Sequence, residues 1–424
     1  MKVAMKRVLC AMLLLALLLS ATVALGEGTS DPVTIEVVTW MTEDDYLPEV
    51  IEQFHKDQDK VRVNYISLST EGDEYNQKLQ LMLSSRQNVD VVGLLDVTNF
   101  AKYYNAGVLE PLDEWIASFD FDMTPYGTLA EQMRMNDHYY TMSNRTETYV
   151  LFYNKTIFDE MGIPYPTQLT WNEFADLAKE MTLVREDGTQ QYGCLSFAFF
   201  GQAAYLYACQ FGETIIDDAI PHLRESYELA YDISVGERKS SLSAMEMMAI
   251  GPQNTPWMFA NGNVAMYPSG DWTIAMYLNK AKAGEMDVDW DIAYLPYPDG
   301  VEPGTSLGGI TNYAIPVFSE KKEAAFTFLS YLCGAQGAEI IASKGTLPAY
   351  STDAAKAAFL TAVEGKNVEP LFNVTKMPPL PVHPKVADVK QVFTNEGMSY
   401  LMGETDIDTM LANIEEQRLA ILTE

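Results

Sequence analysis

The feature that most constrains the fold is a regular alternation of strand and helix patterns between residues 33 and 96. Val33–Trp40, Val61–Ile66 and Val89–Leu95 are rich in β-branched residues, which predicts three buried strands. Between them, Leu47–His55 and Tyr75–Ser84 carry apolar residues at helical spacing, which predicts two amphipathic helices. Strands that alternate with helices in this way are typical of a parallel, doubly wound α/β sheet.

Aromatic and acidic residues follow two of the predicted strands. Trp40 and Glu43 come at the end of the first strand, and Asp96 comes at the end of the third. Open α/β sheets bind ligands beyond the carboxyl ends of their strands. We therefore expect these residues to border a ligand site. An alternative is that Glu43 and Asp96 only cap the helices that follow their strands.

A second α/β region extends from about Tyr149 to Tyr294. Thr170 and Glu173 have the spacing of a capping box, which predicts a helix from Thr170 to Met181. Further helices are predicted over Glu323–Cys333, Ala335–Ser343 and Ile407–Leu422. A chain of 424 residues exceeds what a single hydrophobic core usually holds, so two lobes are expected.

The N-terminal 26 residues have the pattern of a secretory signal peptide. Lys2, Lys6 and Arg7 precede the apolar run Val8–Leu19, and small residues follow up to Gly26. The pattern predicts cleavage near Ala24 or Gly26; the alternative is an uncleaved membrane anchor. Cys10 lies near the start of the apolar run rather than after it, so the usual lipid-anchor cysteine is not predicted.

The chain is strongly acidic, with a formal net charge of −31. Such a surface repels nucleic acids and anionic membranes, both of which require cationic contacts. It suits a soluble monomer outside the cytoplasm, and it disfavours a strongly anionic ligand.

No catalytic, cofactor or metal signature stands out. The four histidines are far apart in sequence and lack zinc-ligand spacing, and phosphate-binding and nucleophile-elbow motifs are missing. We therefore predict neither a cofactor nor a metal. Cys194, Cys209 and Cys333 follow the predicted signal; the first two could form a disulfide, or all three could be buried thiols.

Tryptophans in polar, glycine-bearing contexts point to carbohydrate binding. A sugar stacks its C–H face on an aromatic ring and offers its hydroxyls to charged or amide groups. Trp40, Trp257 and Trp272 are candidates for such a ring, with core or hinge packing as the alternative. The 59 acidic residues also leave open a carboxylate pair of the kind that glycoside-cleaving enzymes use.

Several segments together resemble the family-1 extracellular solute-binding proteins of ABC importers, the family that includes the maltose-binding protein. One of them is the Tyr-Val-Leu-Phe-Tyr-Asn-Lys run and its continuation, and the segments are specific only in combination. The segments occur in the family's order along nearly the whole chain after the predicted signal: Ala106–Leu112, Tyr149–Glu160, Met161–Pro164, Thr170–Phe174, Phe259–Met266, Gly270–Trp272 and Gly345–Ala349.

The resemblance implies a two-lobed α/β fold of the type II periplasmic-binding-protein class, with a ligand cleft between the lobes. It implies that residues 31–147 and 309–365 form the first lobe and residues 148–308 and 366–424 form the second. The implied function is capture of a mono- or oligosaccharide by hinge closure and delivery to ABC permease subunits, without catalysis. Alternatives are a secreted glycoside-acting enzyme and a sensor-coupled binding protein with the same fold.

The resemblance also implies site residues. By position, Glu43 and Asp96 are similar to the polar residues after the first and third strands, and Glu147 to a carboxylate that takes sugar hydroxyls. Trp272 is similar to the stacking ring, with Asp271 as a neighbour.

Asn312 is a further implied neighbour of the site, and Tyr75, Tyr313 or Trp257 could supply another ring. Arg145 lies beside Glu147 in sequence. It could indicate an anionic or amino sugar, an internal ion pair, or a surface partner of neighbouring acids.

Overall fold

A computed structural model describes residues 31–42, 45–69, 72–195, 203–251 and 255–423. The predicted signal peptide, Cys10 and Glu43 lie outside these residues. Within them, no helix is long and apolar enough to cross a membrane. The same residues contain no group of His, Cys, Asp and Glu side chains that could hold a metal ion.

The strands range from two to thirteen residues in length. They are β1 Val33–Thr39, β2 Val61–Ser67, β3 Val91–Leu94, β4 Arg134–Met135, β5 His138–Tyr139, β6 Met142–Asn154, β7 Leu183–Val184, β8 Gln190–Cys194, β9 Val264–Gly270, β10 Trp290–Tyr294, β11 Thr305–Ala314 and β12 Thr375–Met377.

Helices flank the strands in both halves of the chain. They are α1 Leu47–Asp57, α2 Gly72–Ser84, α3 Val97–Asn105, α4 Asp113–Ser118, α5 Lys155–Met161, α6 Trp171–Glu180, α7 Ala203–Cys209, α8 Leu223–Ser234, α9 Ala244–Ile250, α10 Thr255–Ala260, α11 Trp272–Ala283, α12 Lys322–Leu332, α13 Ala335–Ser343, α14 Asp353–Ala362, α15 Glu369–Phe372, α16 Val386–Leu401 and α17 Ile407–Thr423, with a 3-10 segment over Thr124–Met133.

The predicted α/β class is confirmed, and the sheet is mixed. Its strand order is β2-β1-β3-β11-β6-β9-β8-β7, with β10 paired to β6 and β12 to β11. The parallel arrangement predicted for residues 33–96 is confirmed, because β1 pairs in parallel with both β2 and β3. Beyond them the direction changes, since β11 runs antiparallel to both β3 and β6.

Two strands change partners halfway along their length. In β6, residues 142–148 pair with β11, whereas Tyr149–Asn154 pair with β9 and β10. In β11, Thr305–Leu307 pair with β12, and the pairing with β6 begins at Gly308. Both strands therefore join two halves of the structure. The first half contains β1–β3, and the second contains β8–β10. The lobe boundaries themselves stay predictions, but 147/148 and 308/309 fall within one residue of these changes.

The local sequence explains where several elements begin. Thr170 and Glu173 form the predicted capping box: the Thr170 hydroxyl accepts from the Glu173 N–H at 3.2 Å, and a Glu173 carboxylate oxygen accepts from the Thr170 N–H at 2.8 Å. Gly162 ends α5 in a left-handed conformation at φ 67°, which glycine adopts without a steric penalty.

Apolar residues are packed beneath the sheet in both halves, and one cluster extends through both. In the half that contains β1–β3, Phe54 of α1 packs against Phe328 of α12. In the other half, Phe152 of β6 packs against Tyr277 and Trp290. The strands that cross between the halves thus rest on packed cores at both ends.

The three described cysteines are free and buried. This corrects the suggested Cys194–Cys209 disulfide in favour of the alternative of buried thiols. Burial raises the pKa of Cys194 to about 12, and it raises the pKa values of Cys209 and Cys333 as well. All three behave as small apolar core residues.

Candidate ligand-binding site

The two crossing strands place a charged group at the junction of the halves. In their antiparallel pairing, Thr311 lies opposite Arg145 and Gly309 lies opposite Glu147. Because side chains alternate along a strand, Arg145 and Glu147 project from the same face of β6. Both side chains are partly buried, with 16% and 18% of their surface exposed.

Arg145 and Glu147 form an internal ion pair, one of the arrangements considered from the sequence. Arg145 Nη2 donates to Glu147 Oε1 at 3.2 Å, and Arg145 Nε donates to the Thr311 hydroxyl at 2.9 Å. The Thr311 hydroxyl in turn donates to Glu147 Oε1 at 3.0 Å. Burial raises the pKa of Glu147 despite the opposing effects of Arg145 and Thr311. The triad holds both side chains in place while leaving each partly exposed.

Asp271 lies beside this triad, directly after β9. Gly270 pairs with Tyr149, and the Asp271 N–H donates to the Thr148 carbonyl at 2.9 Å. Asp271 is 3% exposed, and its Oδ2 has no hydrogen-bond partner among the described residues. Burial raises the pKa of Asp271 to about 7; Lys376 and Arg145 lower it, and Glu147 raises it.

Trp272 begins α11, and its ring folds back over the end of β9. A Cβ added to Gly270 would lie 1.8 Å from the ring, so only glycine permits this position. The ring meets Tyr149 edge to face, with 5.4 Å between centroids. Trp272 is partly buried, so part of its surface remains available for contact.

Trp40 follows β1 and lies over the neighbouring strand. Its ring stacks on Tyr313 with centroids 6.3 Å apart, and it meets Tyr75 edge to face at 5.6 Å. A Cβ on Gly93 would lie 2.6 Å from the ring. Tyr75 and Tyr313 are fully buried behind Trp40, and the Tyr75 hydroxyl donates to the Gly93 carbonyl at 2.8 Å. Direct ligand contacts of Trp40, Tyr75 and Tyr313 all stay predictions; of the three, only Trp40 is partly exposed.

Asp96 has the helix-capping role that was considered as an alternative. Its Oδ1 accepts from the N–H groups of Thr98 and Asn99 at 3.0 Å each, and its Oδ2 pairs with Lys390 at 3.0 Å. Burial alone would raise the pKa of Asp96, but Lys390 and these hydrogen bonds outweigh it and lower the pKa. Both oxygens therefore have protein partners before any ligand is considered.

Trp257 lies apart from this group. It belongs to α10, and the ammonium of Lys280 lies 4.4 Å from its ring centroid. Lys280 comes eight residues after Trp272 on α11, about 12 Å along the helix axis. Trp257 packs against the apolar cluster that contains Phe152 and Tyr277.

Buried polar atoms without partners are concentrated at the crossing strands. Half of the ten such atoms among the described residues belong to Asn144, Thr148, Asp271 and Asn312, and both amide atoms of Asn312 are included. Folded proteins contain few such atoms, so these residues are candidates for contact with a polar ligand. They are not all on one face, because Thr148 follows Glu147 in β6 and projects from the opposite side.

Sequence reasoning missed Asn144, Thr148 and Lys376. A signal for the first two was available: six consecutive polar residues, Ser143 to Thr148, precede the apolar Tyr149–Tyr153 within one strand. Such a run inside a buried strand must find partners, and a binding site supplies them. No comparable local signal marks Lys376.

Comparison with known proteins supports the resemblance to extracellular solute-binding proteins. Residues 39–339 match the model of the family described as bacterial extracellular solute-binding protein. A multiple sugar-binding protein of Streptococcus mutans is 22% identical over 375 residues, covering 83% of this chain and 81% of that protein.

Two solved structures share the fold along most of their length. A sugar transporter from Rhizobium etli in an open conformation is 26% identical, with a TM-score of 0.74, and the match covers 92% of this chain and 99% of that one. An ABC substrate-binding protein from Listeria monocytogenes in complex with cycloalternan is 22% identical, with a TM-score of 0.78, and the match covers 91% and 97%. The two-lobed fold, the crossing strands and the family match over residues 39–339 lead to one conclusion: this chain belongs to the family of bacterial extracellular solute-binding proteins.

Proposed function

We propose that this protein captures a carbohydrate between its two lobes and delivers it to the permease of an ABC importer. The observation that carries the proposal is the polar group at the crossing strands. Arg145, Glu147 and Thr311 form a fixed triad, and Asp271 and Asn312 offer unpaired atoms beside it. Hydrogen-bond donors and acceptors held in fixed positions suit the hydroxyl groups of a sugar, because each hydroxyl can both donate and accept.

Trp272 supplies the apolar part of the proposed site. Its partly exposed ring directly follows Asp271 in the chain, so an aromatic face and a carboxylate lie together. A sugar that stacks on this ring can hydrogen-bond to the neighbouring polar atoms. A micromolar affinity corresponds to about −8 kcal/mol, which one stacked ring and several buried hydrogen bonds can provide.

The crossing strands supply a physical basis for closure. Because β6 and β11 carry the triad and also join the two halves, a ligand that contacts the triad lies where the lobes rotate against each other. Closure about such a hinge is the motion by which two-lobed binding proteins enclose a ligand. The sugar-binding relatives make carbohydrate the first class to test.

The first test is a thermal-shift screen of the purified protein against mono- and oligosaccharides, including maltose, maltotriose, tagatose and cycloalternan. A ligand of the native state raises the melting temperature by mass action. Titration calorimetry of the best sugar then gives the affinity. If no carbohydrate stabilises the protein, the carbohydrate proposal fails.

We further propose that the protein is a secreted monomer that does not cleave its ligand or bind nucleic acid. The net charge of −31 supports solubility and opposes nucleic-acid binding. Incubation with a bound oligosaccharide, with products followed over hours, separates a receptor from a glycoside-acting enzyme. Loss of uptake of the bound sugar on deletion of the gene would distinguish importer function from a purely sensory role.

A further inference from the structure

Lys376 lies across the point where β11 changes partners. It belongs to β12 and pairs with Ser306 in parallel register. A Cβ added to Gly308 would lie 2.8 Å from Lys376 Cδ and 3.1 Å from Lys376 Cβ. The aliphatic part of Lys376 therefore passes over Gly308 in a space that a larger residue would fill.

Backbone pairing connects Lys376 to Asp271 through four neighbouring strands, and the Lys376 side chain extends from β12 over β11 toward β6. The Cβ position of Gly308 lies 2.8 Å from both Lys376 Cδ and the Glu147 carbonyl oxygen. Gly308 lies opposite Thr148 of β6, and the Thr148 carbonyl accepts from the Asp271 N–H after β9. The order Lys376, Gly308, Thr148, Asp271 thus follows adjacent strands through the junction of the halves. The two charged residues are 105 positions apart in sequence but close in the fold.

Neither charged group has an oppositely charged partner within ion-pair distance among the described residues. Among the described residues, no carboxylate lies within 4.0 Å of Lys376 Nζ, and Asp271 Oδ2 accepts no hydrogen bond. The charges nevertheless affect each other: Lys376 lowers the pKa of Asp271, while burial lowers the pKa of Lys376 against the influence of Asp271. Lys376 Nζ and the Asp271 carboxylate are therefore more than 4.0 Å apart, yet close enough for each charge to affect the pKa of the other group.

The other charged groups near Asp271 do not form an ion pair with its carboxylate. Arg145 is committed to Glu147 and Thr311, and Glu147 repels the Asp271 carboxylate. A group placed between Lys376 and Asp271 must therefore accept from an ammonium and donate to a carboxylate.

We infer that a ligand hydroxyl bridges Lys376 Nζ and Asp271 Oδ2, accepting a hydrogen bond from the first and donating one to the second. This inference rests on the proposed carbohydrate function and adds Lys376 to the binding residues. A carboxylate or phosphate dianion has no proton to donate to Asp271, and an ammonium has no lone pair for Lys376. With Asp271 ionised, the pair therefore favours an uncharged, hydroxyl-bearing ligand over an anion or an ammonium.

The test compares Lys376→Met with Lys366→Met. Methionine keeps an unbranched apolar stem over Gly308 but removes the charge. Lys366 is a matched control, because it is also a partly buried lysine whose pKa burial lowers, yet it donates to the Trp290 carbonyl at 2.6 Å. Hydrogen bonds to charged groups contribute about 1.5–3 kcal/mol. By calorimetry with the sugar that most stabilises the wild-type protein, Lys376→Met should weaken binding about 10- to 100-fold and Lys366→Met less than twofold.

An affinity of Lys376→Met within twofold of wild type would overturn the inference. A second measurement needs no ligand: loss of the Lys376 charge should shift the Asp271 titration, followed by the pH dependence of unfolding, to higher pH. An unchanged titration would show that the two groups do not face each other. If the wild-type protein binds no sugar, the proposed function fails, while this ligand-free measurement still decides whether Lys376 and Asp271 interact.

Discussion

Replacing Asp271 with asparagine should make the ligand-free protein more stable at neutral pH and weaken ligand binding. The carboxylate is almost fully buried, and its Oδ2 has no hydrogen-bond partner among the described residues. A buried charge without compensation destabilises the folded state, and an asparagine side chain carries none. A ligand that donates a hydrogen bond to the unpartnered Asp271 oxygen would offset this destabilisation.

The size of the effect follows from the pKa of Asp271, which burial raises from 3.8 to about 7. At about 1.36 kcal/mol per pH unit, ionising this group in the folded state costs about 4 kcal/mol. The folded state binds the Asp271 proton more tightly than the unfolded state does, so the protonated side chain stabilises the folded protein. This stabilisation is complete below pH 3.8. It is lost as the pH rises through 7. Between pH 5 and pH 8 the loss is about 3 kcal/mol.

The assay is denaturant-induced unfolding of ligand-free protein at pH 5 and pH 8. The stability of Asp271→Asn relative to wild type should increase by about 3 kcal/mol from pH 5 to pH 8. A poorly satisfied asparagine amide would cost the variant about 1–3 kcal/mol of stability. Because this cost does not depend on pH, it lowers the stability of the variant equally at pH 5 and pH 8. Sugar affinity, measured at pH 7.5, should fall for the variant.

Asp232→Asn is the matched control for the pH dependence. Asp232 accepts from Arg238 Nε at 2.5 Å and from the Arg238 N–H at 3.0 Å; burial opposes these bonds, but they lower its pKa. Its stabilising effect is present throughout pH 5–8 and is lost only under more acidic conditions. This variant should be destabilised equally at both pH values. Parallel pH profiles for Asp271→Asn and wild type would refute the reasoning about Asp271.

Other substitutions test separate parts of the structure. Trp272→Ala should weaken sugar binding about 30- to 150-fold, equivalent to about 2–3 kcal/mol of lost ring contact, while Trp115→Ala on α4 leaves the affinity unchanged in calorimetry. Gly308→Ala should displace the Lys376 stem, destabilise the protein by about 1–3 kcal/mol in chemical unfolding and weaken binding; unchanged affinity would argue against the close packing. Thr170→Ala should cost about 1 kcal/mol of stability through the lost cap without altering affinity, and an affinity change would contradict a purely structural role.

Local patterns were sufficient for most of the elements in the first half of the chain. The β-branched segments before Trp40 and around Val91 form β1 and β3, and the helix predicted from Leu47 extends two residues beyond His55. Such patterns record which face of an element is buried, and they do so without knowledge of distant partners. The capping residues at Thr170 were equally informative because a cap is a local interaction.

The pairing of β11 could not be predicted in the same way. Nothing within Thr305–Ala314 indicates that this strand inserts antiparallel between β3 and β6, because strand direction depends on the path of the chain outside it. The same limit applies to the candidate site. Trp272 and Asp271 form a recognisable segment, whereas Lys376 joins them only through pairing across β12, β11 and β6.

The interpretation of Arg145 shows how structure narrows a set of alternatives. Its position beside Glu147 was compatible with an anionic or amino sugar, an internal ion pair or a surface pair with neighbouring acids. The hydrogen bond from Arg145 Nε to Thr311 on the neighbouring strand, together with its pairing to Glu147, accounts for much of its charge within the protein. The need for an anionic ligand is thereby removed.

The burial of all three described thiols has a practical consequence for measuring ligand capture. A thiolate is the reactive form of cysteine, and the raised pKa values of Cys194, Cys209 and Cys333 keep these side chains protonated as well as enclosed. A cysteine introduced at an exposed position near the cleft would therefore react selectively with a maleimide dye. Protein produced from residue 31 onward could serve as a fluorescent reporter of its own ligand without removal of any native cysteine.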